Sequence, residues 1–367
     1  MSKSIPKILS VVGARPNFMK VAPIHRVFQT MHDRFIHQIV HTGQHYDAQM
    51  SDAFFNDLEM PHPAYFLGVG SASHAEQTAR VMLGFEQVCI EAQPDYVIVV
   101  GDVNSTVACA LTSVKMGIRT AHVEAGLRSG DRDMPEEINR IVTDAIASDL
   151  FVTEQSGVNH LIREGASANS IHLVGNTMID SLLYALPKAD LSTVQADLGL
   201  LGNSYILVTL HRPSNVDNSE QLRMLAGVLT ELSQLMTVVF PVHPRTRVRL
   251  QNSGITFPNT VILCDPMGYV HFLALMKNAA VVLTDSGGIQ EETTALGVPC
   301  VTARTSTERP STTEIGTNLL VVPEHDAILK GVQDSVAHSR KTGAVPPLWD
   351  GKASERIVTT IASFFNS

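Results

Sequence analysis

The sequence has little of what several protein classes require. Its four cysteines, Cys89, Cys109, Cys264 and Cys300, lie far apart with no Cys-x-x-Cys. That excludes a zinc knuckle or disulfide framework and fits small buried thiols in a reducing compartment. No apolar run approaches the ~20 residues that cross a bilayer, so an integral membrane protein is not expected. Residues 1–13 run into Arg15 and Lys20 without a leader-cleavage pattern, and a cytoplasmic protein is expected. Aromatics are only 5% of the chain, and 27 Lys+Arg against 36 Asp+Glu leave a net charge of −9. A general nucleic-acid binder is therefore not expected, although a local cationic cluster can still hold a small anion. The first apolar run is not followed by Gly-x-Gly-x-x-Gly, which argues against a nicotinamide-dependent dehydrogenase.

What is present is enough apolar material, 44% of 367 residues, for two cores of ordinary size. Short β-branched runs recur at 8–13, 36–42, 96–102, 120–126, 150–153 and 171–175, then at 205–211, 237–243, 261–265, 281–286, 299–304 and 318–322. Helical stretches intervene, among them 17–31, 74–92, 104–116, 136–147, 219–234 and 288–296. Runs such as YVIVV are apolar on both faces, as strands buried in a parallel sheet must be. The pattern predicts an α/β protein of two doubly wound, Rossmann-like domains facing a central cleft. The expected divisions are 1–177, 178–348 and a last helix in 349–367 that packs back on the first domain.

Ligands of open α/β sheets bind at the carboxyl ends of the strands, and here those ends are polar. The first carries Arg15 and Lys20 on a helix begun by Pro16, a plausible diphosphate clamp, unless Lys20 is a solvated helix-face lysine. Asp102 closes VIVVGD, where it could equally cap the next helix. HVEAGLRSGD places Glu124 and His122 near Arg128 and Asp131, and Pro135 starts a helix with Glu136 and Glu137 in its first turn. Those two acids suit the helix dipole, and Arg140 has i,i+4 spacing for Glu136. Asp102, Glu124 and Glu136 nevertheless come from successive loops, and converging carboxylates split their pKa values into donor and acceptor. A divalent metal is the competing, less favoured use of such a trio.

In the second half, His211 and Arg212 end one run, and His243 and Arg245 end the next. Ser286-Gly287-Gly288 then opens a helix bearing Gln290, Glu291 and Glu292. Bare amides at a helix N-terminus attract phosphate, and a carboxylate one turn later can accept both hydroxyls of a ribose. With Thr307-Glu308-Arg309-Pro310 following, the set reads as a nucleoside-diphosphate pocket.

GARPNFMK, VVGD, HVEAGLRSGD, PEEINR, VGNTMID, TLHRPSN, PVHPRT, DSGGIQEE and TERP stand in order between Gly13 and Pro310. Together they resemble the non-hydrolysing UDP-N-acetylglucosamine 2-epimerases. The resemblance implies a glycosyltransferase-B-like fold, a homodimer, no metal or other cofactor, and no membrane or nucleic-acid partner. It implies interconversion of UDP-GlcNAc and UDP-ManNAc for surface polysaccharides, by elimination of UDP to 2-acetamidoglucal and re-addition. By motif match Asp102, Glu124 and Glu136 are its acid/base residues, and His211 bears charge on the leaving diphosphate. Arg15, Lys20, Ser286, Gly287 and Gly288 would hold phosphates, with His243 among the substrate-binding residues. Glu292 would bind ribose, Phe272 would line the uracil pocket, and Arg309 would support the sugar diphosphate.

Two departures bear on the substrate. TGQHYD has Tyr46 where many bacterial members carry the Arg of an allosteric site, and GARPN has Asn17 where a carboxylate is commoner. Both occur in relatives acting on UDP-2,3-diacetamido-glucuronic acid, so the exact sugar is open. A hydrolysing epimerase, a glycosyltransferase on the same fold and a nucleotide-sugar sensor are the rival readings.

Overall fold

The computed structural model describes residues 5–44, 57–337 and 343–366. The chain divides into two units, Met1–Leu183 with Pro347–Ser367, and Tyr184–Pro346. That divide lies inside helix Thr177–Asp190, six residues beyond the expected boundary after residue 177.

The first unit is built on strands β1 (Lys7–Val12), β2 (Ile36–His41), β3 (Tyr65–Phe66), β4 (Tyr96–Val100), β5 (Arg119–Ala125), β6 (Asp149–Val152) and β7 (Ile171–Leu173). They form one sheet in the order β3-β2-β1-β4-β5-β6-β7, every pair parallel. The second unit carries β8 (Tyr205–Thr209), β9 (Thr237–Pro241), β10 (Val261–Cys264), β11 (Val281–Thr284), β12 (Cys300–Ala303) and β13 (Asn318–Val321). Their order is β10-β9-β8-β11-β12-β13, again all parallel. The protein is thus α/β with two doubly wound parallel sheets.

The physical cause is visible along the strands. All of Tyr96–Val100 is buried, since parallel strands are covered by crossover helices on both faces. In the first unit Leu9, Val11, Val97 and Val99 pack against Val81, Phe85 and Val88 of helix His74–Ala92. In the second unit Ile206, Val208, Val238 and Leu283 meet Leu222, Leu225 and Leu229 of helix Ser219–Leu232. The last helix, Ala353–Ser363, belongs to the first unit. Asp180 caps it, accepting from the amides of Ala353 (3.2 Å) and Ser354 (2.7 Å). Trp349 Nε1 donates to the Thr153 carbonyl (3.1 Å) just before it.

Strand order reverses between β1 and β4 in the first unit and between β8 and β11 in the second. Those are the topological switch points, where neighbouring crossovers leave in opposite directions and open a crevice at the carboxyl ends. No helix among the described residues is long and apolar enough to cross a membrane.

Candidate active site

At the first unit's switch point, β1 leads through Gly13 and Ala14 into helix Arg15–Gln29. Asn17 is buried there, and its Oδ1 accepts from the Gly13 (3.0 Å) and Ala14 (2.9 Å) amides. Its Nδ2 donates to the Val100 carbonyl (3.1 Å) at the end of β4. Asn17 is therefore a cap joining two strand ends, which a carboxylate could not be, because it has no N–H to give the Val100 carbonyl. The Arg15 side chain lies outside the described residues, as do His45 and Tyr46.

Lys20, one turn further along, is no solvated lysine. It is 5% exposed, and its Nζ is ion-paired with Glu124, also 5% exposed. Glu124 sits where the β5–β6 register shifts, with φ +74°, a left-handed conformation that a non-glycine residue adopts at a cost of about 1–3 kcal/mol. The bulge turns its carboxylate to Lys20. Gly101 lies against the same pair: with φ +69°, a Cβ there would come 2.8 Å from Lys20 Nζ. Only glycine leaves room for this contact.

Asp102 follows, partly exposed, with Oδ2 2.6 Å from Arg140 Nη1. Arg140 also grips Glu137, through Nη2 at 2.6 Å and Nε at 3.1 Å. The expected Glu136–Arg140 pair does not form; the guanidinium turns inward to two buried or half-buried acids instead. Glu137 in turn takes the amides of Ser129 (3.0 Å) and Gly130 (2.9 Å). Burial works to raise its carboxyl, but those amides and Arg140 hold it below the ordinary range. Glu136 is half-buried in the first turn of helix Pro135–Ile146 and makes no hydrogen bond or ion pair among the described residues.

Behind Gly101 lies His122, fully buried, with Nε2 2.7 Å from the Gly101 carbonyl and Nδ1 2.6 Å from Asp144 Oδ1. Asp144 also accepts from the Gly126 amide (3.0 Å) and pairs with Arg128 (2.7 Å). Burial would raise its carboxyl; His122 and Arg128 prevail and lower it. Asp131, expected beside Glu124, is exposed instead.

At the second unit's switch point, Asp285 is fully buried directly after β11. It gathers the loop after β8: the His211 and Arg212 amides, His211 Nδ1 and Asn215 Nδ2. Ser286 opens helix Gly287–Leu296 without a side-chain capping bond, and Ser286, Gly287 and Gly288 are all half-buried. A Cβ on Gly287 would lie 2.5 Å from Arg309 Nη1, so glycine is what lets the guanidinium lie against the turn. Arg309 is buried and ion-paired with Glu291 (3.0 Å) and with Glu308, which Arg304 also holds (2.8 Å). Burial opposes ionisation of Glu308, but Arg309 and Arg304 keep it far below the usual carboxylate range.

Glu292 is buried, accepting from Tyr269 Oη at 2.9 Å. Burial, reinforced by the Glu291 charge and only partly offset by Tyr269, pushes its carboxyl up to about 8. Phe272 is half-buried on the helix that Tyr269 begins, and His243 is exposed between β9 and helix Pro244–Asn252. Each unit thus gathers part of the expected set: Lys20, Asp102 and Glu124 in the first, His211, Ser286–Gly288 and Arg309 in the second. Sequence reasoning passed over Asp144 and Tyr269, took Glu137 only as an acid suited to the helix dipole, and gave Asp285 no role of its own. Asp285 had a signal, since it stands within the DSGG motif; the others look like ordinary helix residues. No group of three or more His, Cys, Asp or Glu among the described residues is placed to hold a metal ion.

The family model described as UDP-N-acetylglucosamine 2-epimerase matches residues 29–362. A UDP-N-acetylglucosamine 2-epimerase of Methanocaldococcus jannaschii is 41% identical over 361 residues, covering 96% of this chain and 98% of its own length. A crystal structure of that organism's UDP-GlcNAc 2-epimerase, in complex with UDP-GlcNAc and UDP, matches with a TM-score of 0.89 at 40% identity. That match covers 97% of this chain and 99% of the other. A UDP-2,3-diacetamido-2,3-dideoxy-D-glucuronate 2-epimerase of Pseudomonas aeruginosa is 38% identical, covering 97% of this chain and 99% of its own.

Proposed function

Because the chain belongs to the UDP-N-acetylglucosamine 2-epimerase family, and is therefore an isomerase, we propose that it interconverts UDP-GlcNAc and UDP-ManNAc without hydrolysis. The C2 proton of such a sugar is not acidic enough for simple removal and return. A carboxylate takes it while the C1–O bond to UDP breaks; the C–H electron pair becomes the C1=C2 bond of 2-acetamidoglucal. A second acid returns a proton to the opposite face of C2, and UDP adds back at C1.

The observation that carries this reading is the unequal setting of the three acids in the first unit. Glu124 is paired with Lys20, Asp102 with Arg140, and Glu136 with no partner among the described residues. Carboxylates held in different ways can serve as separate proton acceptor and donor groups. In the second unit the glycine turn, the helix N-terminus and Arg309 suit the diphosphate, His211 its developing charge, and Glu292 the ribose. His243, Phe272 and Arg15 complete the proposed substrate contacts. The homodimer and a part in surface-polysaccharide biosynthesis are proposed on the family resemblance.

The relative from Pseudomonas aeruginosa supports a second substrate, the UDP-2,3-diacetamido-glucuronate sugar. Anion-exchange chromatography after incubation with each nucleotide sugar separates the readings. UDP-ManNAc from UDP-GlcNAc, with no early free UDP and no effect of EDTA, is expected. Turnover of the diacetamido sugar alone would transfer the assignment to it, and free ManNAc in step with UDP would make the enzyme hydrolytic.

A further inference from the structure

Asp285 is buried and engaged on both of its oxygens. Both its oxygens lie 3.1 Å from the His211 amide, and Oδ2 accepts from the Arg212 amide (2.9 Å) and Asn215 Nδ2 (2.9 Å). Oδ1 lies 3.0 Å from His211 Nδ1. Arg212 closes the arrangement from the other side, with Nε on the Asp285 carbonyl at 3.1 Å. Every group facing this carboxylate is a donor, so although burial disfavours its charge, the His211 ring, Asn215 and the Arg212 amide keep it below the ordinary range.

An ionised carboxylate can only accept, so the ring nitrogen facing it must carry a hydrogen. The ring itself is mostly out of the protein, its side chain 59% exposed, and Nε2 has no hydrogen-bond partner among the described residues. A histidine tied at one nitrogen and open at the other is a directed acid or base, because the tie selects both tautomer and orientation. We propose that Asp285 is the positioning residue of His211: it fixes the hydrogen on Nδ1, so that Nε2 is the atom that gives a proton to the departing diphosphate. As C1–O breaks, the electron pair stays on the β-phosphate oxygen, and the Nε2 proton moves to the phosphate. The ring is left neutral with its hydrogen on Nδ1, and re-addition returns the proton to Nε2. This rests on the reading of His211 under the proposed epimerisation, but its structural half can be tested without turnover.

The full-length protein is labelled with ¹⁵N-histidine, and the His211 signals are identified by their loss in His211→Asn. Where the ring is neutral, the hydrogen is expected on Nδ1; a hydrogen on Nε2 in the wild type overturns the proposal whatever the enzyme's activity. Asp285→Asn presents an amide that can donate to Nδ1, and the ring is expected to swap tautomer. In Ser-His-Asp enzymes that exchange slows turnover ~10⁴-fold. Here kcat is expected to fall on the order of 10²–10⁴-fold, with UDP affinity within about threefold. In the His211→Asn background the same change should slow turnover no further. A kcat within threefold of wild type, or an equal added loss in that background, refutes the positioning role. If Asp285→Asn does not fold, the wild-type tautomer decides. A wild type that turns over no UDP-sugar while the tautomer stands would count against the epimerase reading instead.

Discussion

Glu292→Gln should make the ligand-free protein more stable, and more so as pH rises. The buried carboxyl is pushed up to about 8, whereas a glutamate ordinarily titrates at 4.5. Between those values the unfolded chain loses a proton that the folded one keeps, so stability falls with rising pH. At about 1.4 kcal/mol per pH unit the whole interval is worth at most ~5 kcal/mol, and local relaxation should absorb part of it. Glutamine has similar shape, can still accept from Tyr269 Oη, and does not ionise. The expected gain over wild type is therefore about 2–4 kcal/mol at pH 8.5, shrinking towards zero by pH 5. Urea denaturation followed by far-UV circular dichroism at pH 5, 7 and 8.5, without UDP, measures it. A difference that does not change with pH, or a variant less stable at pH 8.5, would show that Glu292 is ionised in the folded protein.

Two further substitutions test the first unit. Lys20→Met strands the buried Glu124 carboxylate and should cost about 3–5 kcal/mol, the usual penalty for half a buried ion pair. Lys20→Met with Glu124→Gln should recover most of that stability in the same denaturation assay but none of the activity. Asp102→Asn and Glu136→Gln should each lower kcat by ~10²–10⁴, as general acid–base groups do, while calorimetry shows UDP still bound. Wild-type turnover in both would remove them from the mechanism.

The sequence made the sheets readable because their strands are buried on both faces: 96–100 and 281–283 are apolar runs with no alternative use. β3 escaped, being only Tyr65–Phe66, too short to leave a pattern. The strand ends announced Asp102, Glu124, His211 and the glycine turn, since polar residues directly after such runs are unusual. Their partners were not legible. Lys20 meets Glu124 across 104 positions, and Asp102 meets Arg140 across 38, pairings that only the strand order brings about. Arg140 shows the limit of local rules: i,i+4 spacing offered Glu136, but helix geometry also offers i,i+3, and Glu137 is the acid on its buried side.

Epimerisation by elimination and re-addition obliges the C2 proton to leave for a group that exchanges with water before another returns. UDP-GlcNAc incubated with the enzyme in D₂O, and followed by mass and proton spectra of the nucleotide sugars, reports that event directly. UDP-ManNAc carrying one deuteron at C2, with UDP still attached at early times, is the predicted product; UDP-ManNAc retaining the substrate's protium at C2 would contradict the mechanism.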